Sequence, residues 1–208
     1  MLRLITLTVF SMLFFTACTQ EDIYTHDPAK LETLKSIHQT YLNHYDEPAV
    51  AFELLEKIKV LAIELDNKEY LAKYYANHAY LNRTANQYGE AIKSNKLALA
   101  LYEQLNDPLR QAKAASNLGN VYRLADKPTE AIHYLEHARE LYMQLDQPQK
   151  LPGIYDNISL VYMGLQQFDK AEHYVSKSLE AGIALESTYW ISNAYINYGE
   201  MYFRQQRF

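Results

Sequence analysis

The chain repeats itself at a fixed interval of 40 residues (131 − 91 = 171 − 131 = 40). Three rows show the interval: Ala91, Ala131 and Ala171; Asn77, Asn117, Asn157 and Asn197; Ala79, Gly119, Ser159 and Gly199. Such a period predicts a solenoid, because each unit can bury its apolar face only against its neighbours. Solenoids mostly provide surfaces for other chains, so the period favours a binding protein over an enzyme.

Each unit divides into two predicted helices. The first spans about residues 108–124 in the third unit, where one helix face carries Ala115, Leu118, Gly119 and Tyr122. Pro128 then opens a second helix, since proline is tolerated at the first helical position. The inner face of this second helix carries Ala131, Leu135 and Ala138. Alternating β-branched residues are almost absent, so no sheet is predicted.

The spacing Leu118-Gly119-x-x-Tyr122, followed by Ala131, Leu135 and Ala138, resembles the tetratricopeptide repeat. The resemblance covers about residues 28–208. It implies an all-α, right-handed α-solenoid of antiparallel helix hairpins, with about four repeats and a lone final helix. The unit is longer than the usual length of about 34 residues, and the extra residues lengthen the second helix. HEAT or armadillo arrays are the alternative at this period, but they lack the glycine, tyrosine and alanine spacing.

The N-terminal 17 residues predict a signal peptide. Arg3 precedes an apolar run from Leu4 to Phe15, which is shorter than the roughly 20 residues that span a bilayer. The segment from Phe15 to Cys18 resembles a bacterial lipobox, which implies that Cys18 is lipidated and becomes the new N-terminus. A plain secretory signal with an incidental cysteine is the alternative. Residues 18–27 would then tether the solenoid to a membrane of the bacterial envelope, at the outer membrane or facing the periplasm.

Composition narrows the chemistry. Cys18 is the only cysteine, so an internal disulfide is excluded, and the formal net charge of −5 without a dense basic block disfavours nucleic-acid binding. The run His133-Tyr134-Leu135-Glu136-His137 matches an inverted zinc-peptidase motif, but Leu135 must face the core, which turns both histidines outward. We therefore predict no catalytic residue, no metal site and no cofactor.

The row of asparagines is the candidate binding site. The resemblance implies that the first helix of each pair lines a concave groove, and Asn77, Asn117, Asn157 and Asn197 fall on that helix. A side-chain amide offers both a donor and an acceptor, so it can hold a peptide backbone of any sequence. The alternatives are a structural ladder between helices and plain ancestry from duplicated units.

Cations and further polar residues flank the asparagines. One turn earlier stand Lys73 and Lys113, which resemble parts of a two-carboxylate clamp for a peptide C-terminus. The next turns add Tyr80, Asn120, Arg83 and Arg123. The clamp is incomplete, because Gly153 stands where it would need a further cation. These cations predict a positive stretch in the groove, and solvated surface charge is the alternative for each of them.

The C-terminal end predicts a continuation. Phe208 falls where Tyr88 and Phe168 fall, at the start of a second helix, so we expect the native chain to extend further. A genuine terminus that a partner covers is the alternative. The last complete helix would leave Tyr198, Met201 and Tyr202 uncovered, which would allow oligomerisation through that helix. Two tyrosine rows are predicted to lie in the core between helices: Tyr75, Tyr155 and Tyr195; Tyr122, Tyr162 and Tyr202.

The predicted function is a non-catalytic adaptor that binds a protein or peptide at the cell envelope. The alternative is the sensor half of a longer signalling protein, with a histidine kinase or a helix-turn-helix regulator beyond residue 208.

Overall fold

The computed structural model describes residues 27–205, and within this range it contains nine α-helices and no β-strand. A 3₁₀ turn, Pro148–Lys150, leads directly into the seventh helix. The signal peptide, Cys18, nearly all of the predicted tether and Phe208 lie outside the described residues. The helices are α1 (Pro28–Asn43), α2 (Pro48–Glu64), α3 (Lys68–Thr84), α4 (Tyr88–Gln104), α5 (Pro108–Leu124), α6 (Pro128–Gln144), α7 (Leu151–Gly164), α8 (Phe168–Ala184) and α9 (Thr188–Arg204).

Consecutive helices pack against each other along the whole described chain. In addition, α5 contacts α7 and α7 contacts α9, so these odd-numbered helices share one side of the array. The predicted α-solenoid of helix hairpins is therefore confirmed. The predicted bounds of the third unit are also confirmed, since α5 spans Pro108–Leu124 and α6 begins at Pro128. Between residues 27 and 205, no helix combines the length and the apolar character that a membrane crossing requires.

One turn geometry joins the helices from α2 onward. After α2, the Asp66 amide donates to the Ile63 carbonyl (3.0 Å) and the Asn67 amide donates to the Ala62 carbonyl (2.8 Å), which is a Schellman motif. The residue with positive φ in this motif recurs every 20 residues (86 − 66 = 106 − 86 = 20). These residues are Asp66, Asn86, Asn106, Asp126, Asp146, Gln166 and Glu186. Hairpin turns and turns between hairpins are therefore alike.

Small residues allow the closest helix contacts. A Cβ atom on Gly119 would lie 2.7 Å from the Leu135 Cγ and 3.0 Å from the Ala131 carbonyl oxygen, so α5 and α6 touch backbone to side chain at this point. Ala131, Leu135 and Ala138 are all fully buried, which confirms the predicted inner face of α6. Ala51, Leu55 and Ile58 form the equivalent buried face of α2.

Two predictions about α9 are wrong. Met201 is fully buried and packs with Met163 and Ala171, because its side of α9 faces the preceding helices. Tyr195 is 62% exposed, although it was predicted to lie in the core. Its counterpart Tyr155 packs against a ring on the following helix, and no described helix follows α9.

The other predicted tyrosine row is buried only in part. Tyr122 lies in the core, and Tyr162 is half-buried and stacks on Tyr174 with ring centroids 5.7 Å apart. Tyr202 is 36% exposed, and Tyr198 is partly buried beside Met201. The prediction of a core row therefore fails at its α9 member.

Candidate functional site

A cavity of about 180 Å³ lies between the odd-numbered helices of the first three hairpins, α1, α3 and α5. Four predicted site residues line it together: Lys73 and Asn77 from α3, and Lys113 and Asn117 from α5. In both helices the lysine stands one turn before the asparagine, so the two side chains share a face. The cavity is also lined by His38, Leu42, Ala76, Tyr102, Arg110 and Ala114.

The N-terminus of α3 and the N-terminus of α5 are capped in the same way. The Asn67 side chain accepts from the Tyr70 amide (3.1 Å), and the Asp107 side chain accepts from the Arg110 amide (2.9 Å). Both are N-cap contacts, which satisfy a backbone donor that the helix itself leaves open. Because each cap stands six residues before its lysine, the lysines leave their helices at matching positions.

The cations of the cavity differ in how far they are neutralised. The Lys73 Nζ lies 2.9 Å from the Glu69 carboxylate and 4.4 Å from the Tyr70 ring centroid. Arg110 pairs with Asp107 at 2.7 Å and reaches Glu69 at 3.6 Å. The hydrogen bond from Lys73 lowers the pKa of the Glu69 carboxyl, so Glu69 stays charged and offsets its partners.

Lys113 differs from the other cations. It is exposed at the cavity, and within residues 27–205 its ammonium group makes no ion pair. On the α1 side, burial lowers the pKa of the His38 imidazole, and the positive charge of Lys73 lowers it further. His38 is therefore neutral at pH 7, and Lys113 carries the uncompensated charge of the cavity.

The asparagines of the row fall into two classes. The side chains of Asn77 and Asn117 make no hydrogen bond within the described part of the chain, and both line the cavity. The Asn157 side chain instead donates to the Gly153 carbonyl of its own helix, at 2.9 Å. Only the first two amides are therefore open to a ligand without breaking an internal bond.

The fourth asparagine joins a polar cluster between α7 and α9. The side-chain amides of Asn197 and Asn193 both donate to the Asp156 carboxylate, the latter at 2.7 Å. Burial raises the pKa of the Asp156 carboxyl, while the hydrogen bond from Asn197 and the positive charge of Arg123 oppose the rise. Here the asparagine bridges neighbouring helices, as in the alternative of a structural ladder.

The remaining predicted site residues lie away from the cavity. The Arg123 Nη2 donates to the Asn120 side-chain oxygen at 2.9 Å, and Arg123 lines a second cavity of about 270 Å³ together with Arg204. Tyr80 is exposed, and the Arg83 guanidinium carbon lies 5.2 Å from its ring centroid. The structure thus brings four of the ten predicted residues together at the first cavity, and the other six lie elsewhere.

Sequence reasoning missed His38, Tyr102 and Arg110. Arg110 carried a usable signal, because it stands three residues after an N-cap aspartate and three before Lys113, on the same side of α5. The sequence gives no such signal for His38 and Tyr102. Their counterparts one unit later, His78 and Tyr142, lie between helices rather than at a cavity, so the repeat position does not predict a site.

The glutamate of the histidine motif on α6 is hydrogen-bonded to neighbouring side chains. Glu136 accepts from the Arg139 Nε at 2.5 Å and from the Tyr174 hydroxyl of α8 at 2.7 Å, and His133 is exposed. Within residues 27–205, no group of three or more histidine, cysteine, aspartate or glutamate side chains is placed to hold a metal ion.

Comparisons with known families point to one repeat type. Residues 111–144 and residues 152–181 each match a family model described as Tetratricopeptide repeat. These two segments, which lie in α5–α6 and α7–α8, are therefore similar to tetratricopeptide repeats. No curated protein matches the chain.

Solved structures share the fold at low sequence identity. Aspartyl phosphate phosphatase F from Bacillus subtilis is similar over 81% of this chain and 45% of its own, with 18% identity and a TM-score of 0.75. A STAND protein with a tetratricopeptide repeat sensor from Pyrococcus horikoshii is similar over 86% of this chain and 28% of its own, with 15% identity and a TM-score of 0.69. The chain therefore spans less than half the length of either protein.

A third structure matches over nearly its whole length. It holds nearly identical TPR-like repeats of a putative kinesin light chain from Podospora anserina, with 16% identity and a TM-score of 0.66. The likeness covers 88% of this chain and 93% of that one. At these identities the three likenesses show the fold and nothing further.

Proposed function

We propose that this chain is a non-catalytic tetratricopeptide-repeat adaptor, which holds an extended segment of a partner protein in the cavity between α1, α3 and α5. The observation that carries the proposal is that the amides of Asn77 and Asn117 and the ammonium group of Lys113 line one cavity. Within residues 27–205, neither amide has a hydrogen-bond partner and the ammonium group has no ion-pair partner. The family matches to residues 111–144 and 152–181 support a role in protein–protein interaction.

The two amides suit the backbone of an extended peptide. Each side chain offers a donor and an acceptor, which are the two groups that every peptide unit presents in return. Asn77 and Asn117 stand 40 residues apart on neighbouring odd-numbered helices, so they grip the ligand at two successive points. Such contacts recognise the backbone, and the charge of the cavity then selects among the side chains.

The cavity favours an acidic segment. Lys113 is uncompensated, whereas Lys73 and Arg110 share their charge with Glu69 and Asp107. A carboxylate of the partner would pair with Lys113 at the exposed mouth. This part of the affinity should fall with salt, because exposed charges are screened over about 10 Å at 0.1 M ionic strength.

The test compares two asparagine variants that differ in one respect. Asn77→Ala/Asn117→Ala removes the two unbonded amides, whereas Asn157→Ala removes an amide that is bonded within its own helix. Partners are captured from envelope extract, the bound segment is identified, and its synthetic peptide is titrated by fluorescence anisotropy. We expect the double variant to lose more than tenfold in affinity, at about 1 kcal/mol for each contact, and Asn157→Ala to bind nearly as the wild type does.

Circular dichroism provides the folding control, since both variants must remain as helical as the wild type. If the double variant is folded and binds the same peptide with unchanged affinity, the cavity is not the binding site.

The proposal places the adaptor at the bacterial cell envelope, held to a membrane by lipid on Cys18. The support is in the sequence: an apolar run from Leu4 to Phe15 ends shortly before the only cysteine. Wild-type protein expressed with its leader should partition into detergent, and Cys18→Ser should remain in the aqueous phase. Equal partitioning of the two proteins would remove the anchor from the proposal.

A sensor role within a longer signalling protein is the second candidate. The observation behind it is the likeness to the STAND protein, whose repeats are described as a sensor and of which this chain matches 28%. Reading the gene past Phe208 decides between the two. A hydrophobic run of roughly 20 residues followed by a kinase or helix-turn-helix module would favour the sensor, and a stop after one or two helices would favour the adaptor.

A further inference from the structure

The core of the α3–α4 hairpin is polar where the equivalent positions of the α5–α6 and α7–α8 hairpins are apolar. Three positions show the difference: His78 against Leu118 and Ile158, Asn82 against Tyr122 and Tyr162, and Asn95 against Leu55, Leu135 and Val175. Asn82 and Asn95 are buried, and His78 is half-buried. A cluster of this kind is stable only when each polar group has a partner.

The cluster has a defined set of hydrogen bonds around His78. Its Nδ1 lies 2.8 Å from the Ser94 hydroxyl of α4. The Asn82 Nδ2 lies 3.1 Å from Nδ1 and 3.3 Å from Nε2, and it also donates to the His78 carbonyl at 2.7 Å. That last contact requires a donor, so the Asn82 amide presents its nitrogen to the ring.

This arrangement suits a neutral imidazole alone. A neutral ring can hold its proton toward Ser94 and accept from Asn82 at the other nitrogen. A protonated ring carries two N–H donors, one of which then meets the N–H donors of Asn82. Within residues 27–205, the side-chain group that contacts Nε2 is the Asn82 nitrogen, which is itself a donor.

A second feature weakens the contact between α3 and α4. The side-chain oxygen of Asn95 is buried and has no hydrogen-bond donor within the described residues. A buried polar atom without a partner is destabilising, and Leu55 and Leu135 fill the same position without that cost. The α3–α4 interface therefore holds a buried polar atom that has no partner among the described residues.

We propose that the α3–α4 hairpin is an acid-labile joint, in which protonation of His78 loosens α4 from α3 and takes apart the ligand cavity. The cavity depends on both helices, because Lys73 and Asn77 come from α3 and Tyr102 comes from α4. This inference extends the proposed function, since loosening the joint would release whatever the cavity holds. The joint itself can be tested without a ligand.

The charged groups around His78 do not cancel the destabilising effect of its protonation. Burial lowers the pKa of the His78 imidazole and is the largest influence on it. Tyr74 of the same helix stacks on the ring at 5.4 Å, and its hydroxyl donates to Glu56. The charged groups that face His78 from the packed helices are Glu56 and Lys59 of α2, and Glu90 and Lys93 of α4, in which each acid is offset by a lysine.

The direction of the pH effect follows from the lowered pKa of His78. Because this pKa is lower in the folded chain than in the unfolded chain, the unfolded chain binds more protons in the interval between the two values. Stability is therefore complete above the ordinary histidine pKa and is lost as the pH falls below it. The opening equilibrium therefore moves toward the open state as the pH falls through that interval.

The test is hydrogen exchange of the purified chain at about pH 7.5 and about pH 5.5, normalised to the intrinsic rates of an unstructured peptide. We expect residues 68–104 to exchange several-fold faster at the lower pH, and residues 108–144 to change little. The variant His78→Gln, which cannot be protonated, should lose this difference. The triple variant His78→Leu/Asn82→Tyr/Asn95→Leu carries the residues of the α5–α6 hairpin and should lose it as well.

Two matched controls separate His78 from other histidines. His133→Gln and His173→Gln each remove an exposed histidine, the first on α6 and the second on α8. Both should keep the acid response of the wild type. An acid response that is uniform along the chain, or one that persists in His78→Gln, would overturn the proposal, whereas a binding failure at constant exchange would count only against the cavity.

Discussion

At the scale of single residues, the same repeat position has different consequences along the chain. Gly119 and Gly199 stand two units apart, yet a Cβ atom would clash with Leu135 at the first and meets nothing within 4 Å at the second. The asparagine row divides in the same manner, since Asn77 is unbonded among the described residues and Asn197 is held by Asp156. A repeat position sets the direction of a side chain, and its neighbours decide what it does.

The two glycines give a matched pair of substitutions. Gly119→Ala should destabilise the fold by about 1–3 kcal/mol, because the Ala131 carbonyl and the Leu135 side chain cannot both withdraw. Gly199→Ala should be neutral or stabilising by up to about 1 kcal/mol, since alanine is the better helix former in open space. Urea unfolding followed by circular dichroism measures both, and equal effects would mean that α5 and α6 do not approach as described.

At the scale of helices, the joint between α7 and α9 differs from the joint between α3 and α5. The first is closed by the Asp156 carboxylate, which takes the amides of Asn193 and Asn197. The second leaves a cavity, which Asn77 and Asn117 both line. A single acidic residue on α7 therefore limits how far the open part of the groove extends.

Asp156 should give the α7–α9 joint a recognisable pH dependence. Burial raises its pKa in the folded chain, so the folded chain binds more protons than the unfolded chain above the ordinary aspartate pKa. Stability should therefore fall as the pH rises from about 4 through that raised pKa. Asp156→Asn keeps an acceptor for both amides and should remove this component.

Thermal unfolding of wild type and Asp156→Asn across that pH range checks the prediction, with the exposed Asp169→Asn as the control. The prediction is wrong if Asp156→Asn shows the same fall as the wild type, or if Asp169→Asn loses it too.

At the scale of the whole molecule, stability is local. Helices contact their neighbours in sequence, and the described residues form separate buried clusters around α1–α3, around α3–α7 and near α9. In such an array, stability is approximately a sum over units and their interfaces. A deletion at one end should therefore destabilise only the adjacent hairpin.

Removal of residues 1–67 tests this locality. The deletion takes away α1 and α2, which exposes Tyr74 and Leu81 on α3, so α3 should fray. Helices α5–α8 should keep their protection against hydrogen exchange, because their core draws on none of the deleted residues. Loss of protection throughout the remaining chain would show that the array folds as one cooperative body.

The sequence alone was sufficient for the fold. Its period, together with Gly119, Tyr122 and Ala131, predicted hairpins of α-helices and the bounds of α5, because close helix packing restricts residue size at fixed intervals. The same reasoning placed Lys73, Asn77, Lys113 and Asn117 on one face of their helices, and the structure brings these four together.

Only the tertiary structure decided which of the repeated asparagines have an amide that is available to a ligand. Asn157 and Asn197 carry the same pattern as Asn77, but their amides are taken by a carbonyl and a carboxylate that the period does not predict. Met201 is buried and Tyr195 is exposed for a related reason, since burial at the last helix depends on which neighbours exist. A local pattern determines the direction of a side chain along a helix, whereas contacts across helices depend on distances that arise when the hairpins stack.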